Sequence, residues 1–194
     1  MENYATLLEL FGVITALLYV VLAAVEKSSC FVFGLLSSVV YIYISIGANY
    51  YYDAIINGYY LIMSVYGLML WNKKTDDSAA LTPIVKFGAR KMIWLTVVCT
   101  AIVLCLGYFS STYTDGSLPY IDAFTTVFAL LATWMVVKKV LQNWLIWVVV
   151  DLVAAGMYWH KSLNYTALLF LIYTIMAAVA YVLWKKKYQL QSVK

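Results

Sequence analysis

A single carboxylate, Asp151, stands at the centre of an apolar run, 143–159, that carries no other acidic or basic residue. Helical spacing puts Trp144, Trp147, Asp151 and Tyr158 on one face of that run. An ionisable group at membrane depth is costly, and a functional role is the default expectation for it. A carboxylate walled by aromatic rings suits a flat cation, because the ring faces and the negative charge attract it together and dehydration strengthens both attractions. The alternative is structural, with Asp151 bonded to Tyr or Ser hydroxyls and only orienting helices. No Lys or Arg lies at matching depth, so an internal ion pair is not expected.

Other runs carry milder polar stripes. Asn57, Tyr60, Ser64 and Trp71 share one helical face, as do Asp122, Thr126 and Thr133. Ser38, Tyr41 and Ser45 form a third stripe, and Thr166 and Tyr173 a fourth. An amide such as Asn57 both donates to and accepts from hydroxyls or another amide; its alternative is an interhelical hydrogen bond. The solute-binding candidates are therefore Asp151, Trp147, Trp144, Asn57, Tyr60, Tyr173 and Thr126. Asp122, just after Pro119, reads as a helix N-cap. The only histidine is His160, beside Lys161, and no His-Glu-x-x-His or Gly-rich phosphate loop is present. Cys30, Cys99 and Cys105 are odd in number and not spaced for a metal. No catalytic residue, cofactor or metal is expected, and no nucleophile–base pair suggests an enzyme.

These residues need a scaffold, and the composition says which. Of 194 residues, 65% are hydrophobic and 11% charged. That is far from the mix of a soluble enzyme, a disordered chain or a nucleic-acid-binding domain. Seven apolar runs (7–25, 30–47, 50–71, 92–109, 120–137, 143–159 and 162–184) approach the roughly 20 residues a spanning helix needs. The fold expected is an all-α membrane protein of seven transmembrane helices. The first run does not read as a signal peptide, since Glu2 and Glu9 replace the basic region. With seven spans, alternate links share a side, and one side collects every Lys and Arg except Lys161. Basic links stay inside, so the N-terminus is expected out and the C-terminus in. The link 72–91 is polar and expected to be mobile; 112–119 is an outer loop with turn residues Asp115, Gly116 and Pro119.

Sliding the chain by 113 residues lays the first three runs on the last three. Phe11 meets Phe124, Tyr52 meets Tyr165, Tyr60 meets Tyr173, Met63 meets Met176 and Trp71 meets Trp184. One run separates the triplets, so both enter the membrane in the same direction. The expectation is a single transmembrane domain with a parallel 3+1+3 repeat: residues 7–71, a linking helix at 92–109, and residues 120–184, with the binding site between the halves.

The stretch PYIDAFTTVFALLATWMVVKKVLQNWLIWVVVD, followed by YTALLFLIYTIMAAVAYVLW, resembles the C-terminal half of the PnuC-type vitamin transporters. The segments FGVITALLYVVLA, LLSSVVYIYI and INGYYLIMSVYGLMLW resemble the N-terminal half. Asn143, Trp144 and Trp147 form the most specific element. The resemblance implies a homotrimer in the cell inner membrane. It implies facilitated uptake of an unphosphorylated vitamin, trapped by a cytoplasmic kinase. It also implies binding positions in the third, sixth and seventh spans, including the Trp-x-x-Trp run and the polar residue four positions later. Asp151 stands where Asn is commoner in that family, Asn57 where Gln is, and Leu68 where Trp is frequent. Nicotinamide riboside and thiamine both carry a fixed positive ring that would suit Asp151, the first favoured by the family; neutral riboflavin ranks third. A membrane sensor without flux is the rival outside the transporter class, and polar faces on several spans argue against it.

Overall fold

The computed structural model describes residues 2–73, 82–114 and 117–191, with side chains from residue 7 onward. Within them the chain forms seven α-helices and no strand: α1 Glu2–Ala24, α2 Cys30–Gly47, α3 Tyr51–Trp71, α4 Ala89–Tyr113, α5 Pro119–Val137, α6 Asn143–His160 and α7 Asn164–Gln191. The shortest, at 18 residues, is about 27 Å long at 1.5 Å per residue, close to a bilayer core of roughly 30 Å. Six helices are apolar and long enough to cross a membrane. The seventh, α6, falls short because it holds Asn143, Asp151 and His160, the polar residues that make it interesting. Helices α4 and α7 outrun the apolar stretches 92–109 and 162–184, because backbone bonding continues into water-facing residues such as Lys185–Lys187.

Four helix ends close the same way. Glu26, Asn49, Lys139 and Ser162 have φ of 58°, 63°, 51° and 60°, the left-handed region usually left to glycine. Each sits in a paired bonding pattern. Glu26 N donates to Ala23 O and Lys27 N to Leu22 O; Lys139 N donates to Val136 O and Val140 N to Met135 O. Asn49 N and Tyr50 N bond Ile46 O and Ser45 O, while Ser162 N and Leu163 N bond Trp159 O and Tyr158 O. Every one of these bonds has its counterpart 113 residues further on. The bounds of α2 shifted by 113 are those of α6.

The chain divides into two compact units. The first holds α1–α3 and residues 136–139. Small residues let its helices approach. Ser37 Oγ donates to Gly12 O at 3.2 Å, and a Cβ on Gly34 would lie 2.6 Å from Ser64 Oγ. Phe31 is edge-on to Trp71 (centroids 4.9 Å, 86°) and to Tyr19 (6.1 Å). Trp71 Nε1 donates to Val137 O at 3.0 Å. A buried ion pair completes this cluster: Lys139 Nζ lies 3.3 Å from Glu26 Oε2 and 4.5 Å from the Trp71 ring centre. Gly67 faces the Phe31 ring, where an added Cβ would come within 2.2 Å. Gly67→Ala should therefore destabilise the protein by about 1–3 kcal/mol through overpacking; its melting in detergent checks this, and an unchanged midpoint contradicts it.

The second unit holds α4–α7. Cys99 and Val103 of α4, Val127 and Phe128 of α5, and Val150 of α6 build its core. A Cβ on Gly107 would strike the Tyr120 ring at 2.3 Å. Helix α6 pairs with α7 along its length, and Trp144 meets Trp184 edge-on at 5.5 Å and 84°. The described end of the link before α4 is docked, not a loose tether. Thr82 Oγ1 donates to Leu70 O, Ile84 is buried, and Leu141 N donates to Val85 O. Residues 74–81 and the turn residues Asp115 and Gly116 lie outside the described residues. Asp122 is in the first turn of α5, not at its N-cap, and pairs with Lys161 at 3.5 Å in an exposed contact.

Candidate substrate site

Helix α6 has two faces. Leu145, Val149, Leu152, Gly156 and Trp159 are exposed, while Trp144, Asp151, Ala154 and Ala155 are buried. Asp151 therefore turns into the protein, 5% exposed, and not toward lipid. It makes no hydrogen bond or ion pair with any described residue. The purely structural alternative, in which Tyr or Ser hydroxyls hold the carboxyl, is thus not realised. Burying a carboxylate without compensation costs several kcal/mol, which makes Asp151 a candidate contact for a partner from outside the chain.

The other candidates fall into two groups. Trp144, Trp147, Thr126 and Tyr173 share the second unit with Asp151; Asn57 and Tyr60 belong to the first. Trp147 is half-buried, one turn before Asp151, and leans on the core of α4–α6. Trp144 is buried against Trp184, which makes it a helix-pairing residue as well as a candidate. Thr126 is half-buried and its hydroxyl bonds no described residue, whereas its neighbour Thr125 bonds Ile121 O and Asp122 O. Tyr173 meets Phe170 edge-on at 6.0 Å, and Phe170 stacks on Tyr158 at 5.2 Å and 14°. Asn57 Nδ2 donates to Asp53 O one turn back at 2.9 Å, so part of its amide is already engaged. Tyr60 rests edge-on against Tyr59 at 5.9 Å.

Polar stripes alone do not reveal two further groups. Phe170 links Tyr158 to Tyr173 at a spacing of three from Tyr173, but an apolar ring carries no polar signal. Asn143 is fully buried and donates through Nδ2 to Val140 O, while its Oδ1 and the Nε1 of Trp144 are buried without hydrogen-bond partners among the described residues. The start of α6 thus carries one buried acceptor and one buried donor whose bonding is unmet, each at a cost of about 1–3 kcal/mol.

Residues 6–186 match the family described as nicotinamide mononucleotide transporter. The chain is 21% identical over 201 residues to the nicotinamide riboside transporter PnuC of Escherichia coli K12, covering 91% of this chain and 84% of that one. It is 27% identical over 183 residues to the protein of the same name from Neisseria mucosa, with coverage of 89% and 70%. A crystal structure of the vitamin B3 transporter PnuC superposes with a TM-score of 0.73 at 19% identity, over 97% of this chain and 84% of the other. The likeness extends over the whole fold.

Proposed function

Because this chain belongs to the nicotinamide mononucleotide transporter family, a family of multi-pass inner-membrane transporters, we propose that it takes up nicotinamide riboside by facilitated diffusion. Phosphorylation in the cytoplasm traps the solute, and the solute crosses chemically unaltered. The observation that carries this reading is Asp151: a buried carboxyl, facing the protein interior, with no described partner. The riboside's pyridinium ring is flat and permanently positive, so it supplies the missing countercharge. Trp147 and the ladder Tyr158–Phe170–Tyr173 offer ring faces to it. Thr126, whose hydroxyl bonds no described residue, reads a hydroxyl of the solute.

The names of the relatives favour the riboside, and so does the charge. A mononucleotide brings a phosphate, which a lone carboxylate repels, and no Lys or Arg stands at the depth of Asp151 to offset it. The protein works as a homotrimer with its N-terminus outside, in line with the sidedness of its basic links. Its 3+1+3 plan derives from an internal duplication. Support comes from the 113-residue register of four helix ends and from two edge-on pairs at matching positions, Phe31–Trp71 and Trp144–Trp184.

Proteoliposomes test the proposal. Counterflow of labelled nicotinamide riboside should run without ATP or an ion gradient, and neither the mononucleotide nor riboflavin should compete. Thiamine, the second cation, competes less than the riboside itself. Competition led by thiamine would reassign the substrate within the same chemistry; absence of flux with intact binding would identify a sensor.

A further inference from the structure

A groove of about 420 Å³ in the second unit contains none of the solute candidates. Its walls are almost wholly apolar, with Met92 and Thr96 of α4, Phe128 of α5, and Ile146 and Val149 of α6 among them. Gln142 lies at its head. There the starts of α4 and α6 are held together, since Gln142 Nε2 donates to Phe87 O at 2.7 Å and Phe87 N donates to Gln142 Oε1 at 3.1 Å. From that head the groove follows α4 from Met92 to Thr100, about 12 Å at 1.5 Å per residue. It therefore runs from one membrane surface toward the middle of the bilayer and stops there.

The segment that enters this head is cationic. Lys86, Arg90 and Lys91 flank Phe87 and the start of α4 in the chain, and all three are exposed. Lys91 Nζ rests 3.6 Å from the Phe87 ring centre, and neither Lys86 nor Arg90 forms an ion pair with a described residue. Helix α4 starts here with no acidic residue in its first turn and no side-chain cap, so its positive end adds to the three charges. An occupant must be anionic at one end and apolar for about half a bilayer.

We propose that this groove seats an anionic phospholipid, with its phosphate among Lys86, Arg90, Lys91 and the start of α4, and one acyl chain lying along Met92, Thr96 and Val149. Basic pockets at helix ends recognise such headgroups by charge. A second copy of this chain would cover the apolar walls but leave the three exposed cations without a role.

The test is native mass spectrometry of the purified full chain titrated with dioleoyl phosphatidylglycerol or dioleoyl phosphatidylcholine. The phosphatidylglycerol should bind at least tenfold more tightly. Lys86→Gln/Arg90→Gln/Lys91→Gln should weaken it by roughly 100-fold, about fivefold for each charge, equivalent to about 1 kcal/mol apiece. Thr96→Trp, which fills the groove and leaves the charges in place, should weaken it as well. Both variants alter exposed side chains, so the fold is retained. Equal binding of the two lipids overturns the proposal, as does unchanged phosphatidylglycerol affinity in either variant. Efficient disulfide crosslinking between copies through Thr96→Cys in native membranes also overturns it, because the groove would then face a second copy.

Discussion

Asp151→Ala is expected to lower nicotinamide riboside uptake into proteoliposomes by about 30-fold or more at equal protein abundance, equivalent to about 2 kcal/mol or more. The carboxyl is buried and has no described partner, so its interaction with a bound cation is poorly screened by water. Asp151→Asn separates charge from hydrogen bonding, since the amide keeps the shape and loses the charge. It should recover only a small part of the uptake. Melting midpoints should stay level or rise in both variants, because removing a buried charge relieves a desolvation cost. Asp151→Asn with full uptake would show that hydrogen bonding suffices, and that charge is not what the site uses.

The second large effect concerns the fold. Lys139 is buried at 1% exposure and its partner Glu26 at 11%. Removing one member of such a pair costs about 3–5 kcal/mol, whereas replacing both with neutral side chains is often tolerated. Lys139→Met should therefore lower the melting midpoint in detergent by about 6–12 °C, for about 3 kcal/mol in a chain of this size. The double variant Glu26→Gln/Lys139→Met should regain most of it. A Lys139→Met midpoint within about 2 °C of the parent would mean that the Trp71 contact and the Val136–Lys139 turn hold the cluster without the charge.

Hydropathy alone delimits α2 and nearly delimits α3, α5 and α6, because a helix that must cross lipid advertises its length in apolar residues. It misjudges the ends of α4 and α7, where helical bonding outlasts the apolar stretch. The tight helix ends at Glu26, Asn49, Lys139 and Ser162 carry no glycine, so nothing in their composition announces a left-handed residue. The Glu26–Lys139 pair escapes a sequence reading for a related reason: both residues serve there only to count charges on links. Yet they occupy matching places under the 113-residue offset, which was the available signal. In the site, the inward turn of Asp151 follows from helical spacing, whereas its lack of a partner depends on every neighbouring side chain. The same dependence hides the use of Trp144 as a packing partner of Trp184 and the capture of the Asn57 amide by Asp53 O.

The account rests on a buried negative group that holds a flat positive solute. Its most direct test is to compare, by titration calorimetry on the purified protein, nicotinamide riboside with its reduced dihydropyridine form, which keeps nearly the same shape and hydrogen-bonding groups but has a neutral ring. The prediction is that the oxidised, cationic form binds at least about 30-fold more tightly, and that Asp151→Asn collapses the difference. Equal affinity for the two forms in the parent protein would contradict the account.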